Sequence, residues 1–438
     1  MQKEPPQTIS LPDGLLLRGA TQEDIEPLAE FEAKNMHFPM GFHIREWMRG
    51  DHPTNGLEHF TVVEDTATKQ IVSAACLIPQ TFLYEHVPFA AGRVEAVATD
   101  PAYRRRGLVR RQLEALHARA EEQLVQVVEG ATWLYRRFGY VHALENTGGM
   151  NSGGRVCYPQ QVPPLPEGQP EPYRVRPATT TDLSFVASVY DNSRQRYLLT
   201  SREPLHHWEY VLRGGSDGYN QWFALRIVET RQGEPVGFVL HDPWGAGYVL
   251  LFEVAPGTSW LAVTPSVLRY LFQEGRRVAA LNGGDCSMLR FCFASQHPIY
   301  DVSPHWLTPS GHPYAGWYLR VPRLDRFLNH IAPALNQRLA SSLLAGHTGE
   351  LKLNFYDTGA TLRINQGQIE SVASWMPKHE REGDAVFTQE TFLPILFGQR
   401  SLVQVREADP DCWVASNEAL VLLQVLFPQK HSHLGPLA

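Results

Sequence analysis

The sequence predicts an α+β protein: a mixed sheet with flanking helices, then a degenerate second copy of it, then a smaller α+β layer domain. Three observations carry this. Short apolar strands alternate with isolated amphipathic helices through the first 145 residues, an order suited to a mixed sheet. A segment near the start recurs 158 residues later (Arg176 against Arg18). From about Trp317 the pattern changes to strictly alternating strands followed by amphipathic helices.

Residues 1–13 form a loose, proline-bearing leader, and Leu15–Arg18 a short strand. Thr21 opens a helix running to about Lys34, with Asp24 three residues on, a capping-box pattern. Residues 35–58 hold His37, Phe38, Phe42, His43 and Trp47 in a loop and short helix. Phe60–Val63 and Gln70–Ile78 pair as a hairpin across the polar turn Asp65–Thr68, and Thr81–Val87 is a further strand. Arg93–Thr99 is mostly apolar and reads as a buried strand. Asp100-Pro101 ends it, since proline cannot continue a ladder. A helix follows to about Glu122, with Val109, Leu113, Leu116 and Ala120 on one face. Leu124–Val128 is a strand, Trp133–Arg137 a short helix and Gly139–His142 a strand.

Residues 159–172 are proline-dense and read as a linker. Directly after it, Val175-Arg-Pro-Ala-Thr-Thr-Thr-Asp182 repeats Leu17-Arg-Gly-Ala-Thr-Gln-Glu-Asp24. Strands follow near Trp222–Val228, Val236–Leu240 and Tyr248–Val254, then Ala-Pro-Gly-Thr-Ser with no arginine run. This predicts a duplicated fold whose second copy lost its ligand site. In the last part, Val321–Ala340 reads as a helix. Leu351–Phe355 and Thr361–Asn365 form a hairpin around Asp357-Thr-Gly. Gln368–Ala373 is a third strand, and Thr388–Phe397 and Ser416–Leu426 are helices. The predicted division is 1–158, linker 159–172, 173–316 and 317–438.

A chain of 438 residues exceeds one ordinary core and suggests about three domains. Hydrophobic content of 43% against 19% charged excludes a disordered chain. The five cysteines are scattered, with no C-x-x-C pair, which argues for a reducing compartment and against a metal or disulfide framework. The start is polar, and the longest apolar run, near Leu420–Phe427, falls short of the ~20 residues a spanning helix needs. The expectation is a cytoplasmic protein without a membrane partner. A net charge of -7 argues against nonspecific nucleic-acid binding.

The stretch that resists a purely structural reading is Arg104-Arg-Arg-Gly-Leu108. A helix start carries partial positive charge and unpartnered N–H groups, so acidic side chains belong there. Here three arginines sit in that place, with no acid in the first turn. A bound anion removes the conflict: free N–H groups, a glycine that permits close approach, and cations together make a phosphate cradle. The plainer alternative is a solvated basic turn.

The run Val97-Ala-Thr-Asp-Pro-Ala-Tyr-Arg-Arg-Arg-Gly-Leu-Val-Arg110 resembles the acyl-CoA-binding motif of the GNAT superfamily of N-acetyltransferases, Arg/Gln-x-x-Gly-x-Gly/Ala. Arg104 and Gly107 match it, and Val109 stands where a small residue is usual. The triple arginine with Gly-Leu, and Leu134-Tyr-Arg-Arg-Phe-Gly-Tyr140, resemble the two motifs of the Eis (enhanced intracellular survival) branch. That branch joins a GNAT domain, a degenerate GNAT domain and a C-terminal sterol-carrier-protein-like domain. The resemblance implies acetyl-CoA as cosubstrate, no metal, and a small amine acceptor such as an aminoglycoside, a polyamine or a lysine. It also implies a homo-oligomer, a hexamer in that branch. The backbone of Val97, Ala98 and Thr99 would hold the pantetheine arm as an added strand. Arg104, Arg105, Arg106, Gly107, Leu108, Val109 and Arg110 would cradle the pyrophosphate.

In such enzymes a neutral amine attacks the thioester and the leaving thiolate needs a proton. A phenol is a workable donor, its reference pKa of ~10 lying near the ~8.5 of a thiol. Tyr135 matches the tyrosine given that role; otherwise it is an aromatic packing in the core. Two groups are candidates for the base: the C-terminal carboxylate, here of Ala438, by resemblance, and Glu95, acting through water. Glu95 is equally readable as a salt-bridged carboxylate, and Tyr140 reads as structural. His37 and His43 lie in the loop that should roof the acceptor pocket, each more readily a surface or packing histidine. Phe38, Phe42, Trp47 and Phe82 either line that pocket or belong to the core. The competing function is a non-enzymatic acyl-CoA or lipid-binding protein.

Overall fold

Residues 8–36, 40–145, 154–213, 223–281 (apart from 244 and 246), 283–310 and 316–435 are described by the computed structural model. The first part contains β1 (Ile9–Leu11), β2 (Leu15–Gly19), α1 (Ile25–Asn35), α2 (Met40–Arg49), β3 (Phe60–Asp65), β4 (Ile71–Tyr84), β5 (Val87–Thr99), α3 (Leu108–Arg119), β6 (Val125–Val128), α4 (Thr132–Tyr135) and β7 (Val141–Glu145). The second contains β8 (Arg155–Cys157), β9 (Tyr173–Pro177), α5 (Leu183–Arg194), β10 (Leu199–Ser201), α6 (Leu205–Arg213), β11 (Ala224–Thr230), β12 (Pro235–His241), β13 (Tyr248–Val254), α7 (Trp260–Leu281), β14 (Leu289–Phe291), α8 (Pro298–Val302) and β15 (Thr308–Pro309). The third contains β16 (Gly316–Arg320), α9 (Leu324–His330), α10 (Ala332–Ala340), β17 (Gly349–Asn354), β18 (Gly359–Asn365), β19 (Gln368–Trp375), β20 (Ala385–Val386), α11 (Gln389–Leu396), α12 (Leu402–Ala408), β21 (Trp413–Val414) and α13 (Asn417–Leu426).

This is an α+β fold on mixed sheets. The first sheet runs β1-β2-β3-β4-β5-β6-β16-β7, antiparallel through β5 and parallel from β5 to β6. The second runs β9-β11-β12-β13-β14-β8-β15, again antiparallel to its fourth strand and parallel to the fifth. The third is β19-β18-β17-β20-β21. Strands cross between the parts. β16 enters the first sheet between β6 and β7, β10 pairs with β4, and the tail residue His433 bridges Thr200 on β10.

The recurring sequence segment builds the same network twice. Arg18 donates to Asp24 at 2.6 and 2.9 Å, to Glu64 at 2.8 Å and to the carbonyl of the next residue, Gly19. Arg176 does the same with Asp182 at 2.8 and 2.8 Å, Glu229 at 2.8 Å and the Pro177 carbonyl. Asp24 and Asp182 also close the capping boxes of Thr21 and Thr179. Each arginine thus ties its first strand to the next strand and to its helix start.

Several local expectations are corrected. Ile9–Leu11 is a paired edge strand, not a loose leader. Gln70–Ile78 and Thr81–Val87 are one strand, because Pro79 sits opposite Gly92 without ending the pairing. The chain reverses only at Glu85-His86, so β5 starts at Val87. The helix expected over Val321–Ala340 is two helices that meet at Ile331. The proline-rich segment is anchored, with Arg269 of α7 bonding the Pro163 carbonyl and Glu171.

The core that places the site is shared. Phe82, Tyr84 and Phe89 of β4 and β5 pack in one buried cluster with Phe327, Phe392, Phe397 and Phe427 of the third part. The Tyr84 hydroxyl donates to the Leu396 carbonyl at 2.8 Å. Phe82 is therefore core.

Candidate active site

The site is organised by one irregularity in β5. Ala96 adopts φ 50°, and the register against β4 shifts between Ala74 and Cys76. An extra residue of this kind bends a strand and disrupts its ladder. β5 pairs with β6 only from Ala91 to Val94. Beyond the bulge no strand pairs with Glu95–Thr99 on that side among the described residues. The result is a splayed gap with backbone at one wall, the geometry that accepts an extended chain as an added strand.

At the end of this gap the chain makes the arginine turn. Asp100 caps it by accepting from the Ala102 N–H at 2.9 Å. Arg104 reaches back to the Thr99 carbonyl at 3.4 Å. Arg105 is held at φ 65°, and Gly107, the residue before α3, at φ 77°. A left-handed non-glycine costs about 1–3 kcal/mol, and such strain clusters at ligand clamps. Left-handed residues at a helix start form a concavity of N–H groups suited to anions. A Cβ built on Gly107 would meet nothing within 4 Å, so the space above it is open. Arg106 lies over the Tyr103 ring at 4.8 Å and 3.7 Å from Asp13, and Arg110 over Phe138 at 5.4 Å. Among the described residues Arg105 makes no ion pair. Leu108 is buried and Val109 half-buried, so both anchor the helix rather than face the open turn.

Tyr135 ends α4, above β6, and is 6% exposed within a cluster of Leu77, Val94, Leu113, Val128 and Tyr140. Its ring meets Tyr140 edge-on at 6.0 Å. Among the described residues nothing hydrogen-bonds its hydroxyl. Burial, and secondarily the charge of Glu95, push the phenol up to about 12. Glu95 is half-buried beside the bulge, 3.5 Å from the buried Arg93 guanidinium. The structure thus brings together Tyr135, Glu95 and the open backbone edge. Tyr140 is buried and bonds His117 at 2.9 Å, a structural position.

α2, expected to roof an acceptor pocket, packs against α6 from the second part. His43 stacks on Trp47 at 5.3 Å, and Trp47 and Tyr210 both meet His52 edge-on, at 6.1 and 5.3 Å. Burial, then the buried carboxylate of Glu46, push the Tyr210 phenol far above its usual range. Glu46 and Tyr210 escaped the sequence reading. Glu46 lies on a buried helix face, a weak signal by itself, and Tyr210 arrives from a distant segment. His37, Phe38 and Ala438 lie outside the described residues. The described tail is fixed as far as Gly435, whose carbonyl accepts from Tyr190 at 2.6 Å.

The second copy differs at the corresponding place. β13 pairs with β14 only at Tyr248 and Val249, so a similar splay begins there. A buried ionic cluster is built from residues farther along β13 and beyond β14. Glu253 accepts from Arg196 at 2.6 Å and faces His297 at 3.5 Å, and His297 packs on Phe293 at 4.3 Å. No arginine–glycine turn follows, only Ala255-Pro-Gly before α7.

Residues 17–143 match the family model described as an acetyltransferase (GNAT) domain. The chain carries an acetyltransferase domain. Acyl transfer is therefore its general chemistry. No curated protein matches the sequence. Among solved structures, a GCN5-related N-acetyltransferase from Kribbella flavida is 15% identical over 96% of this chain and 99% of its own, with TM-score 0.63. A probable N-acyltransferase from Enterococcus faecalis is 12% identical over 95% and 97%, with TM-score 0.65. Eis1 from Mycobacterium abscessus is 13% identical over 96% and 99%, with TM-score 0.60. At these identities the likeness is one of fold. Among the described residues no group of three or more His, Cys, Asp or Glu could hold a metal ion, and no helix is long and apolar enough to cross a membrane.

Proposed function

We propose that this protein transfers an acetyl group from acetyl-CoA to a primary amine by direct attack. The observation that carries the reading is the open edge of β5 leading into the strained arginine turn. The backbone of Val97, Ala98 and Thr99 binds the pantetheine arm. The N–H groups and cations from Arg104 to Arg110 bind the pyrophosphate. The division into a catalytic part, a degenerate second copy and a sterol-carrier-like third part, which the resemblance to the Eis branch implies, belongs to the same proposal.

The acceptor is an aminoglycoside-, polyamine- or lysine-like amine. Glu46 and Glu95 supply negative potential at its approach, which gathers cations. The amine must lose its proton before attack, and Glu95 takes it through water. The Ala438 carboxylate is the second candidate for that step. Tyr135 hydrogen-bonds the leaving sulfur. With its phenol at about 12, complete transfer to a thiolate of reference ~8.5 is uphill, so it acts chiefly as a donor to the charge that develops on sulfur. Much of the remaining rate comes from holding amine and thioester in line. An acceptor screen following thiol release from acetyl-CoA tests the reading. Turnover with polyamines or aminoglycosides supports it, and peptide acceptors outcompeting them moves the substrate class to protein lysines. Acetyl-CoA binding without turnover on any amine leaves a non-enzymatic acyl-CoA binder.

A further inference from the structure

A second cationic site lies at the other end of α3. A cavity of about 380 Å³ opens between the C-terminal end of α3, the start of β6 and the connection from β16 to α9. Its walls include His117, Glu121, Arg320, Arg323 and Arg326. The volume falls in the range of small-molecule sites. Three arginines thus line one concave space with a single carboxylate, Glu121, on its wall.

Two of the three arginines have no ion pair among the described residues, which with Glu121 on the wall leaves a net positive charge. Arg323 is bound to Asp325 at 2.8 Å. Arg320 donates to the neutral amide of Gln126 at 2.7 Å and, among the described residues, meets no carboxylate within ion-pair distance. It is half-buried, and that burial lowers its pKa. Arg326 is exposed and likewise has no ion pair among the described residues. A half-buried guanidinium without a counter-charge is costly, and an anion offsets that cost. His117 does not add charge: burial and Arg320 hold its pKa at about 4. A lone carboxylate would answer one guanidinium. A phosphate or pyrophosphate presents several acceptor oxygens to forks that arrive from two directions.

We propose that this cavity is a binding site for a small phosphate-bearing anion, separate from the donor turn. α3 spans 12 residues between Leu108 and Arg119, about 18 Å at 1.5 Å per residue, so one ligand pyrophosphate does not serve both ends. The site also lies behind the second motif, since His117 bonds the Tyr140 hydroxyl at 2.9 Å.

The test is calorimetric titration of inorganic pyrophosphate into the full chain in the presence of saturating CoA. One saturable site per chain is expected. Arg326→Glu, at an exposed position, should weaken it at least tenfold with an unchanged melting temperature. Arg320→Gln should weaken it as well. Arg105→Gln, at the donor turn, should leave it unchanged. A parallel titration with adenosine diphosphate assigns the site to nucleotides if it binds tighter than pyrophosphate, and to free phosphates if it does not. Absence of saturable binding overturns the proposal. So does binding that survives Arg326→Glu and Arg320→Gln but is lost in Arg105→Gln.

Discussion

Gly107→Ala separates what the arginine turn does for the fold from what it does for a ligand. Gly107 sits at φ 77°, ψ 13°, where an L-residue costs about 1–2 kcal/mol. The added methyl would meet no protein atom within 4 Å, so no clash adds to that cost. A melting temperature lower by a few degrees is the whole expected structural penalty. The effect on acetyl-CoA should be larger. The methyl would stand in the open space above the N–H groups, where the pyrophosphate is proposed to lie. Losing one or two charge-assisted hydrogen bonds at about 1.5 kcal/mol or more each weakens binding roughly 10- to 100-fold. Thermal melting and calorimetric titration of acetyl-CoA on the same preparations read the two effects apart. A variant that melts lower yet binds acetyl-CoA within twofold of wild type refutes the cradle.

Two further outcomes follow from the same geometry. Tyr135→Phe should lower kcat about 10²-fold or more while leaving the KM for acetyl-CoA and the melting temperature near wild type. The hydroxyl has no partner to lose among the described residues, and a fall below threefold contradicts its role. Acid should weaken the tail's attachment. His433 is fully buried, and burial lowers its pKa to about 4 from the usual 6.5. The unfolded chain therefore binds a proton between those values that the folded chain refuses. Stability is full above about 6.5 and falls by about 3 kcal/mol as the pH drops to 4. His433→Gln should flatten that part of the acid-stability curve, and an unchanged slope removes His433 from the account.

What was legible in the sequence was local. The arginine turn declares itself because its cations contradict the field of a helix start. The Arg18 and Arg176 segments match because each must bind its own aspartate and a neighbouring strand. The unread features depend on partners far away in the chain. β16 joins a sheet whose neighbours lie more than 170 residues earlier, and nothing in Gly316–Arg320 names them. The bulge is carried by an alanine, which lacks the glycine that usually marks a positive φ. The buried ionic cluster of the second copy needs Glu253, Arg196 and His297 in one place, and only folding brings them together. Phe82 and Trp47 illustrate the limit of composition: both are buried aromatics, yet one lies in the shared core and the other on the helix beside β5.

The central claim is that the gap along β5 and the turn at Arg104–Arg110 form the donor site. Calorimetric titration of acetyl-CoA into the full chain addresses it most directly. The account predicts one saturable site per chain, of micromolar order and abolished by reversing the charge of Arg105 and Arg106 together. No saturable heat up to millimolar acetyl-CoA, or equal binding by that double variant, contradicts it.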